Sequence, residues 1–170
     1  GDRYFRQGAS LFPEYQQERL VIANRNALTA RGVTAASQRK QRLLKQMADV
    51  FRRAIESGDP RAVAASTYYL GLAQYEYGNF LKNVQLPEGL SEQERQVAQQ
   101  GAERQAEASF TQARQIWQAL VQKAEQEEAL RNSAEARPWL DRARAALEGN
   151  VDTNPPTASR EREAVEVGAL

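Results

Sequence analysis

The side chains able to do chemistry in this sequence are carboxylates, tyrosines, lysines and arginines, because it contains no histidine and no cysteine. That removes thiolate nucleophiles, serine–histidine catalysis, zinc sites with nitrogen or sulfur ligands, haem held by histidine and the Glu-x-x-His di-iron motif together. Glu125, Glu127 and Glu128 form a dense acidic group, but Lys123 and Arg131 lie beside them, and ordinary paired surface charge accounts for the pattern. No glycine-rich phosphate loop, Gly-x-Ser-x-Gly elbow or aspartate-rich calcium loop occurs. An enzyme built from this set would need a deep pocket of convergent acids with tyrosine beside them. The expectation is a protein without turnover: no catalytic residue, no metal site, no cofactor.

The most basic stretch holds Arg39, Lys40, Arg42, Lys45, Arg52 and Arg53. Such a run could meet a phosphate backbone or lipid headgroups, which gives one alternative function, a cytoplasmic helical adaptor binding nucleic acid through the basic helix around residues 39–53. Arg39, Arg42 and Lys45 fall opposite the apolar stripe of their segment, however, as a solvated helix face would have them. The net charge of +1 gives no overall pull towards nucleic acid or an anionic membrane, so no nucleic acid is expected as a partner. No apolar run approaches the roughly 20 residues of a membrane span. A chain that opens at Gly1 without Met is expected to have been processed, so the lack of a visible signal peptide decides nothing about its compartment.

Helices must position whatever these residues do. Ala, Gln, Arg and Glu, all good helix formers, dominate the chain, and long β-branched runs are absent. The fold class expected is all-α, in antiparallel helical hairpins. A first helix is placed from Tyr4 to Asn26, kinked or divided at Pro13, and a loop from Asn26 to about Ala36. Leu43, Leu44, Met47, Val50, Phe51, Ala54 and Ile55 then mark an amphipathic helix from about Ala36 to Ser57. Gly58 as a left-handed cap, Asp59 as N-cap and Pro60 at the first helical position make a tight connection to the next helix. That helix is predicted to run to Tyr77, with Gly78 and Asn79 as turn residues. Ser91 and Glu94 form a capping box opening a long helix to about Glu128, striped with Ala102, Ala106, Phe110, Ala113, Trp117, Leu120 and Ala124. A last helix spans about Pro138 to Leu147. Residues 1–150 are read as one helical domain and 151–170 as a disordered tail or linker.

The segment Ala64 to Phe80, with Leu70-Gly71, Ala73, Tyr75 and then Gly78-Asn79-Phe80, resembles the first helix and turn of a tetratricopeptide (TPR) repeat. Ala106, Phe110 and Ala113 match the Ala-x-x-x-Phe-x-x-Ala of the second half, delayed by the segment Leu81 to Gln105. Thr67 stands where that family has an aromatic residue and Gln74 where it has a large apolar one. Across roughly Tyr4 to Pro155, the order Gly58-Asp59-Pro60, then Ala65-x-x-Tyr68-x-Leu70-Gly71, then Leu86-Pro87-x-Gly89-Leu90-Ser91-x-x-Glu94 is similar to TPR proteins of the myxobacterial cell envelope and its gliding-motility machinery. The resemblance implies a TPR-like α-solenoid fragment with one long helix. It further implies a periplasmic or outer-membrane-associated scaffold whose partners are proteins. It places Tyr68, Leu72, Tyr75 and Glu76 on a partner-binding groove; the competing reading packs the tyrosines against neighbouring helices.

Overall fold

The computed structural model describes residues 1–156, and among them the fold is helical. Its elements are α1 (Asp2–Gln17), a 3-10 turn (Arg25–Leu28), α2 (Ala30–Glu56), α3 (Pro60–Lys82), α4 (Glu92–Gln126), a single turn α5 (Glu128–Arg131) and α6 (Arg137–Leu147). Local chemistry sets several ends. Asp59 accepts from the Ala62 N–H at 2.9 Å, with Pro60 at the first position and Gly58 at φ 73° before it. At the head of α4, Ser91 and Glu94 close the predicted capping box through bonds of 3.1 and 3.2 Å.

Contacts along the helices give their directions. Phe5 and Tyr15 of α1 meet Phe51 and Lys40 of α2, so the two run antiparallel. Phe51 and Gln41 of α2 meet Tyr69 and Tyr77 of α3, and Tyr68 and Tyr75 of α3 meet Trp117 and Phe110 of α4, again in reversed order. Helix α3 is the centre of the molecule. It is buried at Ala62 to Ser66, Tyr68, Tyr69, Leu72 and Ala73, apolar nearly all round as a helix walled by others must be. Trp139 of α6 closes one end of the core against Phe5, Tyr68 and Tyr69.

The α3–α4 contact is close because glycine permits it. A Cβ on Gly71 would lie 2.6 Å from Trp117 Cε2, and one on Gly78 would lie 2.6 Å from Phe110 Cε1. Gly78 therefore seats a ring inside a continuing helix, and the turn expected at Gly78-Asn79 is absent. Phe80 and Leu81 beyond it are buried in a second, smaller core with Leu20, Ile22 and Ala106, which rewards carrying the helix on to Lys82.

Three other expectations are corrected. Helix α1 runs undivided through the exposed Pro13, and it stops at Gln17 rather than Asn26. Leu20 to Ile22 are extended instead: Ile22 donates to the Gln85 carbonyl at 2.9 Å and Gln85 to that of Leu20 at 2.8 Å. Alternation buries Leu20 and Ile22 and leaves Val21 exposed. Helix α2 begins at Ala30, six residues before Ala36, because Thr29 caps it by accepting from the Gly32 N–H at 3.2 Å. Residues Val151 to Pro156 are packed on the body rather than loose. The Tyr68 hydroxyl donates to the Asp152 carbonyl and Gln16 to that of Thr153, each at 2.7 Å, and Pro155 is buried. The rest of the expected tail, from residue 157, lies outside the described residues.

Candidate functional site

The structure separates the four predicted groove residues. Tyr68 and Leu72 are each 0% exposed, so they belong to the core and offer a partner no surface. The Tyr68 ring is stacked on Trp117 at 5.8 Å. Tyr75 is half-buried, packed on Phe110 at 5.4 Å and Trp117 at 6.2 Å. Only Glu76 lines open space. These residues share one strip of α3, but α1, α4 and α6 cover that strip over its first half.

Glu76 lines a polar cavity of about 450 Å³ together with Gln16, Glu18, Arg19, Lys40, Asn79, Phe80, Asn83 and Gln85. Lys40 is the unexpected member. It is 2% exposed, its ammonium donates to the Tyr15 carbonyl, and it sits 3.8 Å from the centre of the Tyr15 ring. Its place was visible in the register, since 40, 43, 47, 51 and 54 form one strip. Desolvation holds its pKa down at about 8, the Glu76 carboxylate partly opposing that shift. Burial also raises the Glu76 carboxyl, against the pull of Lys40 and Arg19.

The lysine makes stability depend on pH in a defined direction. Below pH 8 both the native and the unfolded chain carry the proton, and the burial penalty is present in full. Between pH 8 and the unfolded value near 10.4 the native state sheds a proton that the unfolded state keeps, so stability rises with pH. Tyr15 and Tyr68, both raised by burial, oppose this only above about pH 10, where unfolded tyrosine ionises. Urea midpoints measured between about pH 7 and about pH 9.5 are expected to increase, and Lys40→Met to flatten that increase.

The second cavity is apolar. It holds about 380 Å³ between the first turns of α2 and those of α4, floored by Tyr77 and Leu81 of α3 and by Leu20, Ile22, Leu28, Val84 and Leu86. Ala30, Val33, Thr34, Ser37 and Gln41 line the α2 wall, and Val97, Ala98, Gly101, Ala102 and Gln105 the α4 wall. Val97 stands 62% exposed at the mouth, a large aliphatic side chain left in solvent. No single stretch of sequence signals this cavity, because its lining comes from four separated segments, and Ala30, Val33 and Thr34 of the α2 wall lie in the segment expected to be a loop.

Gly101 behaves unlike the glycines of α3. A Cβ on it would meet no described atom within 4 Å. Gly101→Ala is accordingly expected to stabilise the chain by about 0.5–1 kcal/mol, the helix-propensity difference, as read from urea denaturation.

The basic stretch of α2 is partly spent inside the molecule. Lys40 is buried, Arg39 pairs with Glu14 at 2.7 Å and Glu18 at 2.6 Å, and Arg52 pairs with Asp49 at 3.5 Å. Lys123 pairs with Glu127 at 3.5 Å, and among the described residues no three acidic side chains gather as a metal site would require. No described helix is long and apolar enough to cross a membrane. Comparison with known proteins finds no match: no family model, no curated protein and no solved structure is significantly similar to this chain.

Proposed function

We propose that this chain is a non-enzymatic protein–protein interaction scaffold, TPR-like in its helical pairing and part of a cell-envelope assembly of the gliding-motility type. The observation that carries the interaction reading is the apolar groove between α2 and α4, with Val97 exposed at its mouth. An apolar cleft walled by two helices suits a protein segment. The antiparallel α3–α4 pair supports the TPR-like part. Gly71 of the Leu-Gly pair meets Trp117 there, and the delayed Ala106, Phe110 and Ala113 lie on the α4 strip towards α3. The envelope assignment, periplasmic or outer-membrane-associated, rests on the sequence resemblance alone. The nucleic-acid alternative has less to stand on than the sequence suggests, since Lys40, Arg39 and Arg52 are already engaged.

Affinity capture from cell-envelope extracts tests this, using the chain and its Val97→Asp variant in parallel. A protein of the envelope retained by the first and lost by the second is the expected result. Recovery of unrelated cytosolic proteins alone would remove the envelope assignment, and equal retention by both would remove the groove.

A further inference from the structure

Three glycines inside helices of this protein each seat an aromatic ring of a neighbouring helix. A Cβ on Gly8 would lie 2.5 Å from Phe51 Cε1; Gly71 and Gly78 face Trp117 and Phe110 in the same way. Gly101, ten residues into α4, has the same small face and no ring: it lines the apolar groove with open space before it. Nothing among the described residues requires glycine there, and glycine weakens a helix interior. The wall beside it stays low through Ala98 and Ala102.

The helix that forms the facing wall is basic. Between Ala30 and Ala48 helix α2 carries no acidic residue. Arg31, Arg42 and Lys45 are exposed and make no ion pair among the described residues; Arg31 and Arg42 directly follow the groove-lining Ala30 and Gln41, and Lys45 stands one helical turn beyond Gln41.

We propose that the occupant of the groove is an amphipathic helix of a partner protein that sets an aromatic side chain over Gly101 and turns acidic residues towards Arg31, Arg42 and Lys45. This rests on the interaction reading above and narrows it. The ring would complete the pattern that Phe51, Trp117 and Phe110 set within the chain, and the acids would find cations that have no ion-pair partner among the described residues.

The test uses fluorescence polarisation with synthetic helical peptides sharing one apolar face. The peptides carry Trp or Ala at its centre and an acidic or a basic opposite face. The acidic Trp peptide is expected to bind, with affinity falling as salt is raised. Replacing its Trp by Ala, or testing it on Gly101→Leu, is expected to weaken binding about tenfold or more. A Cβ at position 101 meets nothing within 4 Å, so the melting temperature of Gly101→Leu is expected not to fall, and loss of binding with an unchanged melting temperature then reports the groove. Equal binding of basic and acidic peptides, or undiminished binding to Gly101→Leu, would overturn the proposal. So would self-association of the chain that Gly101→Leu abolishes, since a second copy would then be the occupant. If a photo-reactive residue at position 97 captures a partner while no peptide binds, the interaction reading stands and this inference fails. If neither gives a signal, both fail.

Discussion

Trp117→Ala is expected to destabilise the chain by about 3–5 kcal/mol, a large part of the roughly 5–15 kcal/mol that holds a typical domain together. The indole is 1% exposed, stacks on Tyr68 at 5.8 Å, touches Tyr75 and fills the space left by Gly71. Truncation would open a cavity where α3 and α4 cross, and neither backbone can close it without shifting the other helix. The indole N–H also donates to the Tyr68 carbonyl at 3.1 Å. Trp117→Phe should therefore cost more than Trp139→Phe, although both rings are buried, because the Trp139 N–H has no hydrogen-bond partner among the described residues. Urea denaturation followed by far-ultraviolet circular dichroism measures both differences. Equal losses for the two phenylalanine variants would mean that the Trp117 hydrogen bond contributes nothing net.

Gly71→Ala gives the second large effect, and its sign is opposite to that expected at Gly101. Alanine gains about 1 kcal/mol in helix propensity at both positions. At Gly71 the new methyl group would lie 2.6 Å from Trp117 Cε2 and 2.7 Å from its Cδ1, so the indole must move. Overpacking of that kind costs about 1–3 kcal/mol beyond any propensity gain, so net destabilisation is expected. The atoms it meets belong to the five-membered ring of the indole. In a Trp117→Phe background the penalty should shrink, which gives a coupling of about 1 kcal/mol in a double-mutant cycle. Additive losses would show that the indole is not what the added methyl group meets.

The sequence was most readable where structure is decided locally. Gly58-Asp59-Pro60 and the Ser91/Glu94 box act through bonds within a few residues, and both ends fall where those residues place them. The apolar stripe of α4 is legible for the same reason, one helix repeating one spacing. Gly78-Asn79 misled because a local turn signal is overridden from outside: the Phe110 ring on Gly78 and the burial of Phe80 and Leu81 hold the helix together. Leu20 to Ile22 also depend on a distant partner, Gln85. Of the candidate site, Tyr68 and Leu72 lie on the predicted strip of α3, but which stretch of that strip is covered depends on α1, α4 and α6. The basic run concealed a single inward lysine, and Lys40 was recognisable only by its register with Leu43 and Met47. The groove had no signal in any one segment, since its walls meet only after folding.

Site-specific photo-crosslinking tests the central claim, that the groove between α2 and α4 receives a protein partner, most directly. A photo-reactive residue is placed in turn at Val97, on the groove mouth, and at Asp141, exposed on α6. Each chain is irradiated in cell-envelope extract. One discrete adduct of higher mass is expected from position 97 and none of that mass from position 141, with the adduct lost when Gly101→Leu fills the groove. The same adducts from both positions, or none from position 97, would contradict it.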